Sequence, residues 1–156
     1  MAELKARLQA DLSTAIKARE TTRMAALRMA LAAVTTEEVA GDVARELSDA
    51  EVQKVLTREV KKRKEAAEAF AGAGRDERAQ AEQDEAAVLT GYLPEQLADD
   101  ELETLVTEAV AEVTGQLGAA PGQRQMGQVM KAANAKIAGR AEGGRVAAVV
   151  RAKLQG

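Results

Sequence analysis

The chain has 156 residues, a net charge of -3 and no His, Cys or Trp, with serine only at Ser13 and Ser48. Without Cys or His it can build neither a Cys-His or Ser-His nucleophile nor a structural zinc site, and it holds no phosphate-binding or dinucleotide-binding glycine pattern. The hydrophobic fraction of 46% is enough for the core of one domain or two small ones, but alanine supplies much of it and Phe70 and Tyr92 are the only aromatics. That composition favours close helix-on-helix packing over a sheet.

Apolar spacing predicts helices from end to end. Leu4, Leu8, Leu12, Ala15 and Ile16 form one amphipathic stripe. Thr21 and Thr22 offer an N-cap to a second, built on Met24, Leu27, Leu31 and Val34, which Gly41 and Asp42 interrupt. Ser48, with Glu51 three residues later, reads as a capping box opening a third helix that runs to about Gly72. A fourth spans about Asp76 to Thr90, with Ala79, Ala86 and Leu89 inward. Both serines therefore have structural readings, Ser13 within a helix and Ser48 at a helix start.

Tyr92-Leu93-Pro94 ends this series, because a residue before proline is pushed out of the helical region while proline suits the first turn of a new segment. A fifth helix carries Leu102, Leu105, Val106, Ala109 and Val113; residues 115–122 read as irregular. A sixth carries Met126, Val129, Met130 and Ile137 and ends at Gly139, and a seventh carries Val146, Val149, Val150 and Leu154. The expected fold is all-α: an N-terminal four-helix part over residues 1–92 and a smaller three-helix part over 93–156. No run reaches the roughly 18 apolar residues of a membrane span, and the N-terminal residues lack the apolar stretch of a signal peptide.

Charge is distributed unevenly. From Glu95 to Thr114 there are seven acids and no base; from Gly115 onward there are seven bases, including Lys131, Lys136, Arg140, Arg145 and Arg151, and one acid, Glu142. Helix-end complementarity explains part of the split, and the basic remainder is enough to attract a phosphate backbone. The run Arg58, Lys61, Lys62, Arg63 and Lys64 spreads around its helix. It reads either as a solvated face with Lys61-Glu65 and Lys64-Glu68 pairs or as a modest RNA patch. Glu59 and Arg63, four residues apart, fall on the apolar side; with Arg28 they are expected to form a semi-buried network fixing the register of helices two and three.

The order of Leu27-Arg28-Met29, Val60 to Lys64, Tyr92-Leu93-Pro94, Met126-Gly127-Gln128-Val129-Met130 and Gly139-Arg140-Ala141 resembles the GatB/YqeY family over almost the whole chain. Departures from the family's pattern fall at Gln125, Gln128, Ala135 and Ala138, where an acid, a lysine, a proline and a lysine are usual. Gly127, early in a helix, costs about 1 kcal/mol against alanine and points to close approach by another helix or a ligand backbone. Members of this length are similar to the C-terminal helical region of the tRNA-dependent amidotransferase B subunit. The resemblance implies a noncatalytic module of translation that holds tRNA through the basic tail, with Gly139 to Gly144 as an adaptable loop. It also implies amidotransferase or aminoacyl-tRNA synthetase components as partners, and a bacterial, cytoplasmic setting. No cofactor or metal is expected. Two other readings stay open: a protein-interaction scaffold without RNA binding, and an accessory to a carbon-nitrogen ligase using glutamine as amido-N-donor.

Overall fold

The computed structural model describes residues 2–155. Among the described residues there are seven α-helices and one short 3-10 turn, and no strand. The chain divides into two compact units, Met1–Leu93 and Pro94–Gly156.

The first unit holds α1 (Glu3–Ala18), α2 (Thr21–Glu38), α3 (Asp49–Gly72) and α4 (Asp76–Thr90). Leu8 and Ala15 are buried on α1, whereas Ile16, expected in the same stripe, is 44% exposed. The helical angle explains it: at about 100° per residue Ala15 falls about 20° from Leu8 and Ile16 about 80° away. α1 stops because Arg19 turns left-handed (φ 57°), which returns the Arg19 and Glu20 amides to the carbonyls of Ile16 and Ala15. This tight junction makes Glu20 the N-cap residue of α2, with no capping hydrogen bond from its side chain among the described residues. Thr21 and Thr22, read from the sequence as the cap, lie inside the first turn instead.

Ser48 caps α3 reciprocally. Its hydroxyl accepts from the Glu51 amide at 3.2 Å, and its own amide donates to Glu51 at 2.8 Å. That amide bond, with Arg45 at 2.8 Å, holds the Glu51 carboxyl below its usual range. The Asp49 carboxylate accepts from the Leu4 amide at 3.0 Å, which fastens the start of α1 to the start of α3. Leu8, Leu27, Val34, Leu47, Val52, Leu56, Leu89 and Tyr92 fill the core together with Ala26, Ala30 and Ala86. The alanines allow the close helix approach that the composition demanded.

The second unit holds α5 (Asp99–Leu117), a 3-10 turn (Gln123–Gln125), α6 (Met126–Ile137) and α7 (Gly143–Gln155). Leu102, Val106, Ala109 and Val113 of α5 pack with Val129, Ala133 and Ile137 of α6 and Val146 and Val150 of α7. Gly115 does not end α5, as the sequence implied. The helix continues to Leu117 and stops at Gly118, whose φ of 74° is costly for any residue with a Cβ. α6 ends in a left-handed pair, Ala138 (φ 52°) and Gly139 (φ 79°). Gly143 and Gly144, assigned above to a loop, sit in the first turn of α7. The segment before α5 is tied into this unit by the Leu97 amide, which donates to the Arg140 carbonyl at 2.7 Å.

Candidate nucleic-acid interface

The bases of the C-terminal unit fall into two groups. Lys136 pairs with Glu112 of α5 at 3.3 Å, Arg145 with Asp99 at 2.9 Å and Lys153 with Glu103 at 2.9 Å. Arg145 also donates to the Leu97 carbonyl at 3.0 Å, and Arg140 folds back onto the carbonyls of Lys136 and Ile137, each at 2.9 Å. Arg140 thus caps the C-terminal end of α6, where unsatisfied carbonyls and the helix dipole favour a cation. Among the described residues, Arg124, Lys131 and Arg151 are exposed and take part in no ion pair or side-chain hydrogen bond. The acid-base asymmetry along the sequence is therefore answered in part in three dimensions, where three acids of α5 meet three bases of the later segments.

The expected polar network has a different third member. Arg63 is 1% exposed, and its Nη1 donates to the Glu59 carboxylate at 2.5 Å and to the Glu59 carbonyl at 3.1 Å. Across the helix pair, Arg63 Nε lies 3.6 Å from Glu85 of α4. Arg28 is exposed on α2 and not in this cluster, so it does not pin α2 to α3. The guanidinium crosses to α4 because Arg63 faces the interior of the α3-α4 pair, the most extensive packing in the unit. Nε and Nη2 are buried without a hydrogen-bond partner among the described residues. Burial raises the Glu85 pKa, neighbouring Glu82 adds to the rise, and Arg63 opposes it. Sequence reading overlooked Glu85, although its position one turn before buried Leu89 was a signal.

Tyr92 is the centre of a second cluster. Its hydroxyl donates to Asp11 of α1 and accepts from Arg23 of α2 at 3.2 Å, while the Arg7 guanidinium stands 4.7 Å from the ring centroid. Arg23 lies 3.6 Å from Asp11. Burial, then the hydrogen bond to Asp11 and that residue's charge, push the phenol up to about 12, against the pull of Arg23 and Arg7. A phenol held protonated in this way acts as a hydrogen-bond donor, and through Asp11 and Arg23 it anchors the end of the first unit to α1 and α2. Leu93 packs partly buried against the same core, and Pro94 opens the second unit. No sequence signal linked Tyr92 to Asp11, because the two stand 81 residues apart.

Of the remaining motif residues, Met126 and Met130 pack partly buried against the second core. A Cβ built at Gly127 would meet nothing within 4 Å. No helix of this chain approaches it, which corrects that half of the expectation from sequence. Gly139 is explained by its backbone angle alone. Among the described residues, no group of three or more acidic side chains is placed to hold a metal ion, and no helix is long and apolar enough to cross a membrane. One open surface depression runs along the exposed α5 side chains Asp100, Glu103, Thr104, Thr107 and Glu108, and another lies beside Arg7 and Tyr92.

A family model described as Yqey-like protein matches residues 5–154. The chain belongs to this family. The match spans both units, so family membership covers the helical core of each as well as the Tyr92-Leu93-Pro94 junction. Among curated proteins none matches the chain.

Proposed function

We propose that this YqeY-like protein is a noncatalytic RNA-holding module that contacts tRNA phosphates through its C-terminal unit. The observation that carries this reading is the set of exposed cations Arg124, Lys131 and Arg151, which have no intramolecular partner among the described residues. An unpaired surface cation releases counterions from a phosphate backbone without first giving up an internal contact. Arg140 and Arg145 have a different part in this reading: they hold the unit together, and the RNA meets the other cations. Association with amidation machinery, and activity as its accessory, follow from the likeness to the amidotransferase B subunit. In that setting the chemistry belongs to the partner, since this chain supplies no Cys or His.

The test is fluorescence-anisotropy titration of bulk bacterial tRNA at two salt concentrations, with wild type and with Arg124, Lys131 and Arg151 replaced together by Gln. Salt-sensitive binding lost in the triple variant supports the reading; no binding at low salt refutes it. A protein-scaffold role is the second reading. It is favoured by the three pairs between α5 acids and α6 and α7 bases, which withdraw those bases from the charge offered to a polyanion. Co-purification of a protein partner that is insensitive to ribonuclease would support it.

A further inference from the structure

Three bases of the second unit are covered by carboxylates of α5. Lys136 and Lys153 lie on different helices, yet each meets a carboxylate of the same helix, α5, at Glu112 and Glu103. These pairs are solvent-facing: the lysine side chains are 31% and 35% exposed and the glutamates 46% and 61%. Exposed pairs of this kind add little to stability, because water and salt screen them. They do set the geometry of the lysines, however, and a carboxylate presents to an ammonium the same anionic oxygens that a phosphate presents.

Resting on the proposed RNA-holding role, we infer that Glu103 and Glu112 act as internal stand-ins for phosphate, covering a second set of RNA contacts on Lys153 and Lys136 that a nucleic-acid backbone uncovers by displacement. The exchange needs no opening of the fold. Each lysine rotates about its flexible stem from a glutamate to a phosphate, and the released glutamate returns to water. A polyanion engaging several cations at once gains more than a single carboxylate does, so a backbone can displace what a monovalent anion leaves in place. Asp99 covers Arg145 in the same way, but Arg145 also holds the Leu97 carbonyl and Asp99 sits in the first turn of α5. Arg145 is fastened to the fold through that carbonyl, whatever the 99% exposed Asp99 does, and the exchangeable capacity lies at the two lysines.

The experiment compares bulk tRNA binding by the full chain in wild type, in E103Q/E112Q and in E101Q/E108Q. Glu101 and Glu108 are exposed on the same helix and, among the described residues, unpaired, so the two variants carry the same charge change. Thermal unfolding of all three establishes that each is folded. The expected result is roughly three- to tenfold tighter binding by E103Q/E112Q than by E101Q/E108Q, as release of two exposed pairs implies, with the difference shrinking at high salt. Equal gains in both variants would reduce the effect to bulk charge and overturn the inference. Wild-type binding that E103Q/E112Q leaves unchanged would overturn it while sparing the RNA-holding role. Absence of binding by all three would remove both.

Discussion

Arg63 of α3 and Glu85 of α4 face each other across the helix pair, with Nε 3.6 Å from the carboxylate and the guanidinium almost wholly buried. The fork formed by Nε and Nη2 is the edge of arginine that can grip a carboxylate in two-point fashion, and among the described residues neither atom has a hydrogen-bond partner. Replacing Arg63 by Ala leaves Glu59 and Glu85 without their cation and opens a cavity. The expected cost is about 3 kcal/mol in chemical denaturation. Arg28→Ala, removing an exposed side chain outside the cluster, is expected to change stability by less than about 0.5 kcal/mol.

Glu85 should also mark the pH dependence of stability. Its pKa is raised in the folded protein, so the folded state holds the proton more tightly than the unfolded chain, whose value is near 4.5. The contribution from this group is therefore fully present below that value and is lost as pH rises through the raised folded pKa. In Glu85→Gln this component disappears. Denaturation midpoints followed from pH 4 upward, a range set on the order of the carboxylate pKa, should fall less steeply in the variant than in wild type over the mildly acidic window. Parallel profiles would contradict the assignment.

Tyr92 is the only tyrosine, so its ionisation can be followed directly by phenolate absorbance. Titration of the folded protein should show a midpoint well above the ordinary value of 10, near 12. The sign is again that of a proton held by the folded state: the stabilisation is complete below 10 and fades as pH rises toward 12. Tyr92→Phe, which removes the hydroxyl from between Asp11 and Arg23, should cost about 1 to 3 kcal/mol and flatten the alkaline limb of the stability profile.

Backbone angles separate the glycines. Gly127 has open space where a Cβ would sit and no unusual φ, so Gly127→Ala should stabilise α6 by up to about 1 kcal/mol. Ala138, left-handed without being glycine, should gain by Ala138→Gly a similar amount of roughly 1 kcal/mol. Opposite signs in thermal unfolding would contradict the backbone reading. A Gly127→Ala variant that is stable yet weak in tRNA binding would instead place RNA backbone at that position.

Helix existence and most boundaries were legible in the sequence because apolar period and capping chemistry act over a few residues. The Ser48-Glu51 box and the start of α4 at Asp76 are of this local kind. What escaped was set by packing between elements. Ile16 belongs by spacing to a stripe whose Leu8 and Ala15 are buried and whose Leu4 and Leu12 pack partly buried, while Ile16 stays outside, and the Arg19 turn displaced the threonine cap. The buried arginine was recognisable from the side it occupies on α3, whereas its second carboxylate depends on how α4 docks. Likewise the excess of bases after Gly115 is visible in the sequence, but only the fold reveals that Lys136, Arg145 and Lys153 are partnered and that, among the described residues, Arg124, Lys131 and Arg151 are not.

The most direct test of the RNA-holding role is the salt dependence of tRNA binding in wild type and in R124Q/K131Q/R151Q. The role predicts affinity that falls steeply with salt, and a slope of log affinity against log salt reduced by roughly two to three in the variant, as expected when about three phosphate contacts are lost. An unchanged slope, or no wild-type binding at low salt, would contradict it.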